Sequence, residues 1–279
     1  MTSVRSLRFD KMHGAGNDFV VLDLRGGQPA PSPERVREMG NRHTGIGFDQ
    51  LLTIEDSSRH DVVARYRIWN VDGSPAQQCG NGARCVAAWL QRDGAATGRH
   101  FLLDSPAGTI EVQRLDDGRY SLAMGRPEFA PARIPLRADA EATHYALSVP
   151  GGEVHFGAVS LGNPHAVLEV GSVDDTDVHL LGPMVQAREE FPEGVNVGFA
   201  EILAPDHIRL RVYERGVGET LACGSGACAA VAVLVRQGRV GRHVRVDLPG
   251  GTLEIQWPDD DAPIVLTGPT AFVFEGDYG

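Results

Sequence analysis

The chain of 279 residues holds a single lysine, Lys11, and every other basic residue apart from histidine is arginine. A pyridoxal-phosphate enzyme needs a lysine for its Schiff base, and nothing around Lys11 supports such a site. Cysteine is scarce as well, at Cys79, Cys85, Cys223 and Cys228. The segment Met1–Lys11 carries Arg5, Arg8 and Asp10 and has no apolar core, so it does not read as an export signal. Thiols in a reducing cytoplasm are therefore expected rather than disulfides. No apolar run approaches the ~18 residues of a membrane-spanning helix, and no membrane partner is expected. Positive charge is short too: a formal net charge of −11 argues against a nucleic-acid backbone as ligand. A small substrate stays open, because a site can be locally positive on an acidic protein. The 42% apolar and 23% charged residues have the balance of a globular chain, long enough for one large domain or two ordinary ones.

The most informative feature present is an internal repeat. Arg67–Gly94 aligns without a gap on Arg211–Gly238, with nine identities in 28 positions. Cys79-Gly80-Asn81-Gly82-Ala83 falls on Cys223-Gly224-Ser225-Gly226-Ala227. Upstream, Gly16–Leu22 resembles Gly162–Leu168, and downstream, Pro106–Val112 resembles Pro249–Ile255. The three anchors keep their order at offsets of 146, 144 and 143 residues, which coincidence in a Gly- and Ala-rich chain does not readily produce. Two similar halves result, residues 1–125 and 126–268, with the boundary at the Pro- and Arg-containing stretch Arg126–Arg137.

Apolar runs and period-two alternation predict strands at Phe19–Leu22, Ala64–Trp69, Ile110–Gln113, Ala166–Val170, Ile208–Val212 and Leu253–Gln256. Gly80–Arg92 and Gly224–Gln237 read as helices, with Gly94 and Gly238 just past their ends. The first shows one apolar stripe of Ala83, Val86, Ala87 and Leu90. The second is apolar nearly all round and should be buried. Each half is then a strand-rich α/β domain wrapped around a helix.

In both copies of Cys-Gly-x-Gly-Ala the cysteine directly precedes a helix. A helix start offers unpaired N–H groups and a positive dipole end, which favour a thiolate. The glycines leave backbone bare for a carboxylate to approach. Two such elements facing each other between the halves would place a base and an acid on opposite faces of one carbon. That is what inversion of a stereocentre by proton transfer requires. The helix starts would also stabilise the charge that develops on deprotonation.

Set against this, a cysteine beside glycine is ordinarily a small packing residue. The matched placement in both halves favours chemistry for Cys79 and Cys223. Cys85 and Cys228 do not occupy equivalent repeat positions and read as buried helix thiols. A four-cysteine zinc site fits poorly, because Cys-x5-Cys and Cys-x4-Cys put two ligands inside helices. No metal is expected, and a thiol redox protein lacks its Cys-x-x-Cys motif. Asn17, Asn70, Asn163 and Asn196 sit in turn-like settings where asparagine is often structural. Together with Gln50, Glu214 and Arg215 they form a polar set suited to a zwitterion, with Arg215 to grip a carboxylate and Glu214 to accept from an ammonium. His13 and His165 lie beside repeat anchors, where each is either a hydrogen-bonded loop histidine or a group that tunes a thiol.

These residues carry a family resemblance. Lys11–Phe19, Gly45–Gln50, Asn70–Ser74, Cys79–Cys85, Gly162–His165, Glu214–Gly216 and Thr220–Gly226 closely resemble the diaminopimelate epimerase family, over residues 8–275 and least well between Arg114 and Val154. The resemblance implies two pseudo-symmetric α/β domains, each a sheet rolled around a central helix, with segment 269–279 packing back on the first. It implies interconversion of LL- and meso-diaminopimelate without metal or cofactor, in bacterial lysine and cell-wall precursor synthesis, by a cytoplasmic homodimer. At matching positions it implies Cys79 and Cys223 as the acid/base pair, supported by His165 and Glu214. Gly80, Asn81, Gly224 and Ser225 form the cradle, and Asn17, Gln50, Asn70, Asn163, Asn196, Glu214 and Arg215 bind substrate. Phe274 stands where the family commonly has a tyrosine associated with the dimer interface, and Ala15 where it has a larger aliphatic residue. Proline racemases and hydroxyproline epimerases share the scaffold but place histidine where this chain has Asn81. The phenazine-biosynthesis relatives lack the paired cysteines.

Overall fold

The computed structural model describes residues 6–279, so Met1–Arg5 of the segment read above against an export signal lie outside the described residues. The chain divides into two compact units. Unit 1 takes residues up to Leu122 together with Gly268–Gly279, and unit 2 takes Ala123–Thr267.

Unit 1 runs β1 (Leu7–Gly14), β2 (Asn17–Asp23), α1 (Pro33–Gly40), β3 (Gln50–Glu55), β4 (Ala64–Asn70), β5 (Pro75–Ala76), α2 (Gly80–Asp93), β6 (His100–Ser105), β7 (Gly108–Arg114) and β8 (Tyr120–Ala123). Unit 2 opens with β9 (Tyr145–Val149). It then runs β10 (Gly152–Ser160), β11 (Pro164–Glu169), α3 (Val178–Gln186), β12 (Asn196–Ala204), β13 (His207–Glu214), β14 (Gly218–Thr220), α4 (Gly224–Arg236), β15 (His243–Leu248), β16 (Gly251–Gln256) and β17 (Val265–Gly268). The last strand, β18 (Ala271–Tyr278), returns to unit 1 and pairs antiparallel with β1.

The repeat read from the sequence is a repeat of topology. In unit 1 the neighbours are β1–β2 antiparallel, β2–β3 parallel, β3–β4 antiparallel, β4–β6 parallel, and β6–β7–β8 antiparallel. In unit 2 the same sequence of senses recurs for β10–β11, β11–β12, β12–β13, β13–β15 and β15–β16–β17. Parallel neighbours need a crossover. In unit 1, α1 lies in the connection between β2 and β3, and α2 in that between β4 and β6. In unit 2, α3 and α4 take the same places.

The strands β1–β3 and β10–β12 are buried on both faces over most of their length, which gives them continuous apolar runs, whereas β4, β7, β13 and β15 alternate between buried and more exposed residues. In unit 1, Val20, Leu22 and Leu51 pack with Val36 and Met39 of α1, while α2 lies against β1, β2 and β3. In unit 2, Val197 and Phe199 pack with Val178 and Val185 of α3, while α4 touches β10 to β13 and β16. The single apolar stripe expected of α2 understates its burial. Gly80 to Leu90 are buried all round, Asn81 and Arg84 included. Those two polar side chains hydrogen-bond one another, Arg84 Nη2 to Asn81 Oδ1 at 2.8 Å, which offsets part of their desolvation.

Helices α1 and α3 have no counterpart in the sequence reading. The first is eight residues long, and the second carries Gly182 and Pro183 in its interior, both helix-disfavouring signals. Gly182 is required by packing: a Cβ there would meet the Tyr213 ring at 2.5 Å.

Leu90 is fully buried on α2. Leu90→Ala is expected to lower the unfolding free energy by about 2–5 kcal/mol, read from the midpoint of a urea titration.

Candidate active site

Cys79 is the N-cap of α2, with extended backbone (φ −151°, ψ 103°) and Sγ accepting the N–H of Gly82 at 3.3 Å. A short polar side chain that satisfies the third helical amide is what an N-cap supplies; here the acceptor is sulfur. Gly82 allows the approach: a Cβ there would meet Leu52 at 3.0 Å and the Cys79 sulfur at 3.5 Å. Asn17 Oδ1 lies 3.7 Å from Cys79 Sγ and accepts from Asn81 Nδ2 at 3.3 Å. Asn81 Oδ1 in turn accepts from the buried Arg84 guanidinium. Asn17 is anchored on its far side by donating Nδ2 to Asp49 Oδ2 at 2.9 Å. Gln50 and Asn70 are register partners in β3 and β4, with Gln50 Nε2 donating to Asn70 Oδ1 at 3.1 Å.

Unit 2 repeats this construction with different residues at its end. Cys223 is the N-cap of α4 (φ −117°, ψ 109°), and its Sγ accepts the Gly226 N–H at 3.4 Å. Ser225 Oγ is 3.6 Å from the sulfur and accepts from Asn163 Nδ2 at 3.3 Å. Asn163 Oδ1 accepts from His165 Nε2 at 3.0 Å. Glu214 lies close enough for its charge to oppose ionisation of Cys223, and its Oε1 accepts from Thr220 Oγ1 at 2.5 Å. Asn196 is committed to backbone, donating to Pro164 O and accepting from the Arg215 N–H, both at 3.0 Å. The Arg215 side chain is exposed and donates to Glu193 O at 2.7 Å. Gly80 and Gly224 are the first residues of their helices.

Burial sets the electrostatics. It raises the Cys223 thiol well above the usual thiol range, with Glu214 adding to the effect. Burial also raises Cys85 and, with Cys79 close by, the Tyr66 phenol. It lowers His165 to about 3, assisted by the positive charge of Arg215, so the imidazole is neutral at physiological pH.

His13 is accounted for within its loop: Nδ1 accepts the Gly16 N–H at 3.3 Å. The turn it braces has Ala15 at φ 53° and Gly16 at φ 86°, the left-handed pair of a two-residue hairpin. Two elements escaped the sequence reading. Lys11 is buried and pairs with Asp18 at 2.5 Å. Desolvation raises the Asp18 carboxyl, yet hydrogen bonds and charge from Arg42 and Lys11 outweigh it and hold Asp18 down to about 2. Arg84 is the other. Its only signal is an arginine in the middle of an otherwise small and apolar helix start. Among the described residues no three His, Cys, Asp or Glu side chains converge as a metal site requires. Nor, among them, is any helix long and apolar enough to cross a membrane.

The duplicated fold is one seen in solved epimerases and related proteins. A hydroxyproline epimerase from Agrobacterium vitis superposes with a TM-score of 0.72 at 17% identity, covering 99% of this chain and 93% of that one. A phenazine biosynthesis protein from Bacillus anthracis gives 0.69 at 15% identity, covering 99% of both chains. At these identities the likeness is one of fold. Sequence goes further: the diaminopimelate epimerase family model matches residues 9–130 and 157–273. Diaminopimelate epimerase of Xanthomonas axonopodis pv. citri is 59% identical over 98% of this chain and 96% of its own length. That of Xylella fastidiosa strain M12 is 56% identical over 97% and 95%. The chain belongs to the diaminopimelate epimerase family.

A histidine held neutral by burial stabilises the folded state fully above its unfolded pKa of about 6.5. That contribution is lost as pH falls from there toward about 3. The His165 ring resonances are therefore expected not to titrate from about pH 8 to about pH 5. Unfolding free energy should fall with pH over the lower part of that window, and fall less steeply in His165→Gln.

Proposed function

We propose that this protein interconverts LL- and meso-2,6-diaminopimelate by two-base proton transfer, without metal or cofactor, in bacterial lysine and peptidoglycan precursor synthesis. The observation that carries the mechanism is the matched pair of N-cap cysteines, Cys79 and Cys223, each at the start of a buried helix in a duplicated topology. One sulfur, as thiolate, takes the α-proton. The other, as thiol, gives its proton to the opposite face of the same carbon. The C–H bond that breaks is replaced by a C–H bond of inverted configuration, and the thiol and thiolate exchange roles.

The remaining residues serve this chemistry in distinct ways. The amides at the starts of α2 and α4, with Asn81 and Ser225, suit the α-carboxylate and the charge that grows on deprotonation. Asn17, Gln50, Asn70, Asn163, Glu214 and Arg215 supply the donors and acceptors for the rest of a zwitterion, and Asn196 serves them by fixing the backbone of Arg215 and Pro164. His165, neutral and bonded to Asn163, supports the Cys223 side. Glu214 disfavours a second thiolate there and so keeps a proton available for delivery.

Racemisation of proline or hydroxyproline is the second reading, and it is supported by fold alone. Asn81, where those relatives place histidine, weighs against it. A cytoplasmic homodimer is part of the proposal. On β18, Phe272, Val273 and Phe274 are exposed at 39%, 55% and 50%, an apolar patch on an edge strand of a kind usually covered. Phe274→Glu is expected to shift sedimentation toward the monomer, whereas an unchanged sedimentation coefficient would remove this strand from the interface.

Incubation with LL-diaminopimelate in deuterated water should incorporate one α-deuterium as the meso isomer appears. Absence of incorporation would sink the reading, and comparable turnover of proline would favour the second. Cys79→Ala and Cys223→Ala should each lose at least about 100-fold in kcat, while Cys85→Ala stays within about twofold, its thiol being buried and pushed up by desolvation.

A further inference from the structure

The two cysteines sit in the same scaffold, yet the hydrogen-bond chains behind them end differently. In unit 1 the chain runs from Cys79 to Asn17 to Asn81 and reaches the guanidinium of Arg84. In unit 2 it runs from Cys223 to Ser225 to Asn163 and stops at His165. The middle members correspond in the repeat, Asn17 with Asn163 and Asn81 with Ser225. The end members do not: Arg84 aligns with Cys228, and His165 with Phe19. We infer that Arg84 makes Cys79 the resting thiolate of the pair and leaves Cys223 the resting thiol. This rests on the two-thiol reading above and deepens it.

Arg84 is fully buried, so its permanent charge acts through a poorly screening medium. Its charge favours ionisation of another thiol on the same helix, Cys85. Cys79 stands at the start of that helix, where the Gly82 N–H already points at the sulfur. One contact opposes this: the Asn17 amide oxygen facing Sγ favours the protonated thiol. At 3.7 Å to a neutral acceptor it is a weak hydrogen bond, and a buried full charge outweighs it.

The other groups facing Cys79 do not reverse the sign. Tyr66 on β4 is pushed up by burial and stays neutral. Asp18 is held by Lys11 and Arg42, and Asp49 by Arg42. Around Cys223 the groups are Glu214 on β13, His165 on β11 and Arg215 beyond β13. Ser225 and the Gly226 N–H favour the thiolate, but burial and the Glu214 charge prevail. His165 is neutral there and contributes no compensating charge. In this scheme Arg84 is a positioning residue: it acts on the sulfur through Asn81, Asn17 and its field.

The test is an ultraviolet titration of thiolate in the intact, substrate-free protein. The first thiolate to form as pH rises should persist in Cys223→Ala and vanish in Cys79→Ala. In Arg84→Gln, which keeps a donor for Asn81 but loses the charge, that thiolate should form about one pH unit higher, about tenfold less of it at a fixed pH. Arg84→Lys should restore most of it. In activity, Arg84→Gln should lower kcat with little change in KM, and raising the pH should recover the loss, which a merely structural lesion would not show. If the first thiolate vanishes instead in Cys223→Ala, or if Arg84→Gln titrates like the wild type, the inference fails. Should Arg84→Gln not fold, the comparison of the two cysteine variants still decides which thiol ionises first, and Arg84→Lys titrating like the wild type decides that the charge is what matters. No substrate enters the titration, so its failure is distinct from a failure to epimerise diaminopimelate, which the deuterium experiment reads.

Discussion

At 3.3 and 3.4 Å, the sulfurs of Cys79 and Cys223 accept the N–H of Gly82 and Gly226, and the rest of each unit is arranged so that this contact holds. An N-cap normally offers oxygen from serine, threonine or aspartate. Substituting sulfur weakens the cap as a hydrogen bond and places a titratable, nucleophilic atom at the positive end of a helix. The weaker cap is tolerated because α2 and α4 do not depend on their ends. Both are buried over nearly their whole length, and packing rather than capping holds them.

Symmetry of scaffold and asymmetry of chemistry coexist in the molecule. The strand senses repeat from one unit to the other, and both helices begin with the same five-residue pattern. Inversion of a stereocentre needs two groups in opposite protonation states at any instant, and a perfectly duplicated site would favour neither. The differences lie in residues behind the sulfurs: Arg84 in one unit, His165 and Glu214 in the other. These positions can diverge without disturbing the strands or the N-cap geometry, since none of them forms the cap.

Much of this was legible in the sequence, for definable reasons. The repeat was visible because Cys-Gly-x-Gly-Ala is a local backbone requirement, and the flanking strands announce themselves by apolar runs, as in Phe19–Leu22, or by period-two alternation, as in Ile208–Val212. The helices after Cys79 and Cys223 begin where the pattern places them, and Gly94, at φ 86°, occupies the left-handed position expected of it. What stayed hidden was non-local. Nothing in the spacing of Arg84 shows that it is fully buried, because the stripe Ala83, Val86, Ala87, Leu90 describes one face and the structure covers the others. The pairing of Lys11 with Asp18 joins β1 to β2 through side chains whose only sequence sign is charge. Helix α3 was masked by Gly182 and Pro183, residues that disfavour helix locally; the glycine is required because Tyr213 occupies the space a Cβ would need.

Core and site meet at the two cap glycines, Gly82 and Gly226. A Cβ at position 82 would meet Leu52 of β3 at 3.0 Å, and one at position 226 would meet Val212 of β13 at 3.0 Å and the Cys223 sulfur at 3.2 Å. The glycine is therefore squeezed between a core side chain and the reactive atom. Anything that moves the β3 or β13 strand toward its helix presses on the cap, and anything that moves it away opens the cap to water. The buried apolar side chains of these strands, Leu52 and Val212, are thus part of how each sulfur is kept in position, and the distinction between residues that fold the protein and residues that act on its substrate does not hold at these two points.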